Sequence, residues 1–244
     1  MTRRRMMAWV CGGLLLLLGG ARAQAAEAAY PPAYAELLGR YVATGGVRYA
    51  AWKASAADAA ALRVVTEHYA GGKPPADRGA SLAWHLNAYN AWVLRLMIER
   101  YPVAGPLAGT PRFFDERRIR VAGEEMSLND LETGRIRKGF QEPRIHFALN
   151  CASRSCPPLH GKPFDAADLD ATLTSLTRAF LDGNPEAVRV EGGKVRVTRL
   201  FEWYAEDFGG LSRAAEYINR FRTKPIPSGK LEFLEYNWSL NEVP

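Results

Sequence analysis

Between residues 80 and 101 apolar side chains return at spacings of three and four: Trp84, Leu86, Tyr89, Val93, Leu94 and Met97. That period is helical, and Pro102 closes the segment. Shorter helices are predicted over residues 34–41, after Pro31-Pro32, and over the alanine-rich residues 56–69, with a Gly-Gly-Lys-Pro-Pro break at 71–75. Residues 118–121 read as a strand edge running into the Ala122-Gly123 turn. Ser127, followed three positions later by Asp130, predicts an N-cap and a helix to about residue 137. Residues 145–149 predict a strand and residues 165–181 an amphipathic helix. Alternation on both sides of Glu191-Gly192-Gly193 predicts a hairpin over residues 188–197. Two helices, 200–208 and 211–221, flank Gly209-Gly210, and a last strand covers 231–236. Helices lead and strands are interleaved later. The order predicts an α+β fold, its N-terminal half helical, with a small mixed or antiparallel sheet packed against helices rather than a regular βαβ series.

The N-terminus changes how the charge is read. Arg3, Arg4 and Arg5 precede an apolar run over residues 6–18, and Ala21-Arg22-Ala23 is a small-x-small cleavage site. Residues 1–23 are predicted to be a signal peptide, with a second cleavage option after residue 25. The run is shorter than the roughly 20 apolar residues of a spanning helix. No transmembrane span is therefore expected once the leader is removed, a retained anchor being the alternative. Cys11 lies inside the run and not after it, unlike a lipid-attachment cysteine. The expected location is periplasmic or secreted. The chain carries 32 Lys+Arg and 26 Asp+Glu, a net +6. Loss of Arg3, Arg4, Arg5 and Arg22 leaves 28 against 26, or +2, and no basic stripe that would suit nucleic acid. Residues 27–244 show no internal repeat and no linker, so a single globular domain is expected.

Chemistry concentrates between Arg144 and His160. This stretch holds Cys151 and Cys156, the two cysteines outside the leader, together with His146 and Asn150. In an oxidising compartment, two cysteines five apart around a Ser-Arg-Ser turn can close a local disulfide, Cys151–Cys156. That bridge would contribute about 2 kcal/mol in the chain-entropy picture. The other reading is a cysteine nucleophile. A thiol with a pKa near 8.5 needs a cationic neighbour or a helix N-terminus to ionise at neutral pH, and a histidine usually supplies it. On a regular strand His146 and Cys151 would point to opposite faces, their Cα atoms roughly 16 Å apart. Pairing them needs a bulge or an early end to the strand. His146 with Cys156, or His85 with either cysteine, are the open alternatives. His68 reads as a surface residue, His85 as a satisfied core residue and His160 as a loop residue. Cys-x4-Cys with flanking histidines lies close to zinc spacings, but no second cysteine pair exists and no metal is expected. There is neither a Gly-x-Ser-x-Gly elbow nor a phosphate-binding glycine loop.

Five segments resemble motifs of the domain of unknown function family 547. They are Trp84-His-Leu-Asn87-Ala-Tyr89-Asn90-Ala91, Ser127-Leu-Asn-Asp130-Leu-Glu132, the run from Arg144 to Pro157, Phe201-Glu-Trp203-Tyr204-Ala-Glu-Asp207-Phe208, and Tyr236-Asn237-Trp238-Ser239-Leu240-Asn241. The resemblance spans about residues 82–241, and the long Arg-Ile-His-Phe-Ala-Leu-Asn-Cys segment is its most specific part. Ala152 stands where the family often has glycine, His85 at a usually apolar position and Asn237 in place of an aspartate. The family carries no assigned activity. Its mixture of cysteine, histidine and amides is analogous to papain-like and transglutaminase-like proteins, an argument from analogy alone.

The resemblance nominates residues. Cys151 would be the nucleophile, His146 the base and Glu132 the group that orients His146, with Asp207 able to do the same. Asn87, Asn90 and Asn150 would bind or orient a substrate amide or donate to an oxyanion; the alternative for Asn87 and Asn90 is that they pin a neighbouring loop. Trp203, Tyr204 and Trp238 read as core, with a groove lining as the alternative. Two functions follow. One is a thiol-dependent hydrolase or acyltransferase acting on an amide or peptide-like substrate, with no cofactor. The other is a non-catalytic envelope module, stapled by Cys151–Cys156, that binds a small molecule or peptide. A thiol-disulfide redox role has thin support, because Cys-x4-Cys is longer than the usual Cys-x-x-Cys.

Overall fold

A computed structural model describes residues 29–244; the expected leader, Cys11 included, lies outside them. α1 (Pro32–Tyr41) begins on a proline, whose missing N–H has no helical partner to lose. A two-residue hairpin, β1 (Val42–Ala43) with β2 (Gly46–Val47), leads to α2 (Tyr49–Ala54). Ser55 caps α3 (Ala56–Gly71), its hydroxyl accepting from the Asp58 N–H at 3.3 Å. Asp58 in turn receives Arg40 and Tyr41, which ties α1 to α3.

α4 (Arg78–Arg100) is the axis of the molecule. Asp77 caps it through the Ala80 N–H at 2.8 Å. Every residue from 82 to 94 is buried, so this helix is enclosed on all sides. Trp52, Leu62, Trp84, Leu86, Met97 and Phe113 belong to the large core around it. The next residue, Tyr101, turns extended before Pro102, as a residue preceding proline tends to do.

α5 (Phe113–Glu116) leads into the hairpin of β3 (Arg118–Val121) and β4 (Glu124–Ser127). Its turn, Ala122-Gly123, has positive φ at both positions, the geometry that suits the twist of a two-residue hairpin. The turn docks on the end of α3, where the Ala122 and Gly123 N–H groups donate to the Tyr69 and Ala70 carbonyls.

The predicted cap at Ser127 forms as a reciprocal pair. The Ser127 hydroxyl accepts from the Asp130 N–H at 3.0 Å, and the Asp130 carboxylate accepts from the Ser127 N–H at 2.9 Å. The helix that follows, Asp130–Arg137, is a π-helix and not an α-helix. In an α-helix Glu132 and Arg137, five apart, would project about 140° from each other. The wider π turn brings them towards one side, and such helices recur at functional sites. A short α6 (Lys138–Phe140) follows.

The segment expected to be a strand at residues 145–149 is a 3-10 helix, Pro143–Phe147, capped by Glu142 through the Arg144 N–H. Pro143 sets the first turn, and no partner strand lies alongside among the described residues. The alternation that would have turned His146 away from Cys151 does not apply.

α7 (Leu169–Gly183) begins later than the predicted helix. Beyond it, β5 (Val188–Glu191) and β6 (Lys194–Val197) form the expected hairpin, and β7 (Leu231–Phe233) adds in parallel to β6. The intervening chain is α8 (Leu200–Trp203), two 3-10 turns and α9 (Ala214–Asn219). This region has its own core, in which Phe147, Phe180, Phe201, Phe208 and Tyr217 meet. The fold is α+β, as expected, but the strands make three small sheets among the described residues instead of one.

Candidate active site

The loop after Phe147 is fixed from below by asparagine side chains. Asn90, on α4, donates to the Ala148 carbonyl at 3.0 Å and accepts from the Asn150 N–H at 2.9 Å. The Asn150 side chain donates to the Pro157 carbonyl at 2.8 Å and accepts from the Ala152 N–H at 3.0 Å and from Asn241 at 3.2 Å. Asn87, one turn back along α4, holds the backbone N–H and C=O of Phe164 at 2.8 and 2.9 Å. In this structure the three asparagines hold backbone in place. Their polar atoms are bonded to backbone and to each other, and none of the three lines the cavity described below.

The loop is fixed from above by the C-terminal segment. Arg154 and Ser155 N–H groups donate to the Ser239 and Asn237 carbonyls, and the Asn241 N–H donates to the Ala152 carbonyl. Tight approaches make this possible. A Cβ on Gly105 would stand 2.1 Å from the Trp238 carbonyl oxygen, and one on Gly46 2.1 Å from that of Asn241. Held from both sides, the loop turns at Ala152, whose φ of 64° explains why glycine suits that position.

The turn delivers Cys151 to a cavity of about 220 Å³ whose walls include His146, Glu132, Cys156, Tyr204, Tyr236 and Trp238. That volume is below the roughly 300–1,000 Å³ of pockets that enclose drug-sized ligands, and it suits a group the size of a side chain. Cys151 is half-buried, and its Sγ lies 3.0 Å from the Ser153 hydroxyl and 3.3 Å from that of Tyr236. Its backbone N–H donates to the Cys156 Sγ at 3.0 Å. Burial alone would raise the Cys151 pKa; hydrogen bonding from Cys156, Ser153 and Tyr236 outweighs it and brings the thiol down to about 7. Burial and the neighbouring Cys151 push the Cys156 thiol the other way, upwards. Both residues are free thiols, so the expected Cys151–Cys156 disulfide is not formed in this structure.

His146 reaches the same cavity from the 3-10 helix. Its Nε2 is 2.6 Å from Asp207 Oδ2, and its ring stacks on Tyr204 with centroids 4.1 Å apart. Arg137 holds the same carboxylate with two N–H groups, at 2.7 and 3.0 Å. Burial works to raise the Asp207 pKa, but hydrogen bonds from His146 and Arg137 prevail and hold it below the usual carboxylate range. The carboxylate on His146 is thus Asp207 and not Glu132. Glu132 lies across the cavity beside the Tyr204 hydroxyl.

His85 spends Nδ1 on the Ser81 carbonyl at 2.7 Å and packs between Trp84 and Phe140, outside the cavity lining. His160 packs on Phe164 and does not line it either. Trp203, expected in the core, is instead 43% exposed. It stacks on Trp238 and Tyr236 as a rim of the cavity. Sequence reasoning missed Ser153 and Tyr236 on the thiol and Arg137 on Asp207. Tyr236 was within reach, since it opens the last of the five motifs; nothing in the sequence distinguished Arg137 from other surface arginines. Among the described residues no cluster of three His, Cys, Asp or Glu side chains is arranged to hold a metal ion, and no helix is long and apolar enough to cross a membrane.

Fold and site together define an α+β protein with a half-buried thiol and a carboxylate-held imidazole on the walls of one cavity. Residues 75–181 match the family model described as "Protein of unknown function, DUF547", which supports the resemblance over this stretch. The match contains α4, the π-helix, His146 and both cysteines, while Asp207 and Tyr236 come from chain beyond it. No curated protein and no solved structure matches the chain.

Proposed function

We propose that the protein is a thiol-dependent hydrolase or acyltransferase acting on an amide or peptide-like group. The observation that carries this reading is the Cys151 thiol, ringed by Ser153, Tyr236 and Cys156, on the wall of the cavity that His146 also lines. Cys151 is the nucleophile, His146 its proton partner and Asp207 the positioning residue. With Nε2–H donated to Asp207, Nδ1 is the ring nitrogen left to exchange a proton. The thiol proton passes to Nδ1 as sulfur attacks the carbonyl carbon. A C–S bond forms, the C–N bond breaks, and the amine leaves with the proton from His146. Water, or another acceptor, then attacks the thioester, gives up its proton and restores the thiol. The basic leader followed by an apolar run supports action outside the cytoplasm. The alternative, a binding module stapled by a disulfide, draws no support from the two free thiols.

Iodoacetamide tests the nucleophile. At pH 6 a thiol of pKa about 7 carries about 30 times more thiolate than one of pKa 8.5. Lower basicity costs roughly fivefold in intrinsic reactivity, so alkylation at Cys151 is expected about sixfold faster than at a free thiol, with Cys151→Ala removing it. A rate no greater than that of the free thiol ends this reading.

A further inference from the structure

Six aromatic side chains wall the cavity: Tyr89, Phe114, Trp203, Tyr204, Tyr236 and Trp238. One carboxylate joins them, that of Glu132, which is only 7% exposed. Glu132 makes no ion pair among the described residues, and its neighbour is the neutral hydroxyl of Tyr204. No lysine or arginine lines the cavity. The two cations of the same π-helix are committed elsewhere, Arg135 to Glu124 and Arg137 to Asp207, although Arg137 feels the Glu132 charge without pairing with it. A buried carboxylate without a cation is costly, and protein interiors seldom leave one unmatched. Aromatic faces carry negative charge density and attract ammonium groups, methylated ones above all. The acid-bearing groove next to this cavity shares Asn129, Glu132 and Tyr204 with it. That groove's four other acids are engaged, Glu124, Glu125 and Asp130 with arginines and Asp115 with the Asn129 amide, so Glu132 is the carboxylate left to face a ligand.

We infer that the cavity binds a substrate through a cationic alkylammonium group, a primary or methylated amine seated among these aromatic rings with its charge against Glu132. The inference rests on the reading of Cys151 as a reactive thiol and names the chemistry of what that thiol meets. A neutral substrate would leave Glu132 without a paired cation, and an anionic one would be repelled by it. The cation also explains the unequal halves of the cavity: thiol and imidazole for the reacting bond, aromatic rings and one carboxylate for the charged end. Trp203, at the rim and partly exposed, would close over the alkyl portion.

The test uses two methanethiosulfonate reagents of similar size, trimethylammonioethyl and sulfonatoethyl, on the protein as it stands. In each case the Cys151 thiolate attacks the sulfenyl sulfur, a disulfide forms and methanesulfinate leaves. Modification at Cys151 is followed by peptide mass, and the ratio of the two initial rates is divided by the same ratio for free cysteine. A buried unit charge a few ångströms from the reagent's own predicts a normalised preference for the cation of at least about tenfold. Glu132→Gln, which keeps size and the Tyr204 contact, is expected to reduce that preference to within about twofold of unity. Trp203→Leu, at an exposed position, is expected to lower it severalfold. A normalised ratio near one, or a preference for the sulfonate, overturns the inference, as does a cation preference that survives Glu132→Gln. The neutral iodoacetamide rate judges the nucleophile separately, so a reactive thiol without charge preference refutes only the ammonium site.

Discussion

Beneath the cysteine loop lies a set of buried asparagines; beside it lies a histidine, an aspartate and an arginine. Both groups are polar, both sit in largely apolar surroundings, and the two are joined by one short stretch of chain, from His146 to Asn150. They differ in what is left over. Asn87, Asn90 and Asn150 each spend both ends of the amide on backbone or on one another. Buried amides satisfied in this way fix backbone and have nothing further to offer. In the other group Asp207 is fully engaged by Arg137 and His146, yet the imidazole keeps one nitrogen uncommitted and a face on the cavity. The difference separates scaffold from chemistry more sharply than residue type does.

The scaffold side breaks with the largest effect. Asn90→Ala strands the Ala148 carbonyl and the Asn150 N–H, both buried. Each unsatisfied group costs about 1–3 kcal/mol, so a loss of roughly 2–6 kcal/mol is expected. Urea unfolding should show it as a lower midpoint with an unchanged slope. A loss below about 0.5 kcal/mol would mean that the loop is held in place without this side chain.

The chemical side breaks more gently and with a pH signature. Asp207→Asn removes the charge from hydrogen bonds worth about 1.5–3 kcal/mol. The native carboxyl has a lowered pKa, so its contribution is complete above the unfolded value near 3.9 and fades as the pH falls through the lower, folded one. The stability gap between the two proteins should therefore stay constant from pH 7 to about 4.5 and narrow at lower pH. A gap that is the same at pH 2.5 as at pH 6 would show that the Asp207 charge contributes nothing. Iodoacetamide rates across the same variant report whether the imidazole, once released from its anionic partner, still serves the thiol.

The comparison also shows what a sequence can convey. The long helix, the Ser127 cap and the hairpin at Glu191-Gly192-Gly193 were legible because each rests on neighbours in the chain: a period, a three-residue offset, a pair of glycines. Residues 145–149 were misread for the same reason. Their short, largely apolar run fits a strand, but no strand lies beside them among the described residues. Pro143, the Glu142 cap and the pull of Asn90 on residues 148 and 150 wind them into a helical turn instead. Cys151 and His146 were found by their chemistry. Their partners were harder, because Asp207 comes from 61 residues further along and Tyr236 from 85. Glu132 was set against His146 on the strength of residue type, and only the π-helix, which the Ser127–Asp130 cap does not specify, shows that Arg137 and not Glu132 meets the Asp207–His146 pair. The asparagines were given both readings, and only their bonding partners separate them.

Tyr236 offers the finest cut between the two regions, since its strand of backbone belongs to the scaffold and its hydroxyl to the thiol. Tyr236→Phe keeps the ring against Trp203 and Trp238 and deletes a single oxygen 3.3 Å from the Cys151 Sγ. The Ser153 hydroxyl, at 3.0 Å, and the Cys156 thiol remain. One of three hydrogen-bonding neighbours is lost, and sulfur is a weak acceptor. The thiol pKa should therefore rise from about 7 by roughly half a unit to one unit, no more than about 1.4 kcal/mol. Because the native hydrogen bonds favour the thiolate, the shift must be upwards. The iodoacetamide rate at pH 6 should fall about two- to threefold, the loss of thiolate being partly offset by the more basic sulfur, while the plateau at high pH rises slightly. An unmoved midpoint would assign Tyr236 wholly to the rim of aromatic rings, and a downward shift would show that it opposes the thiolate it touches.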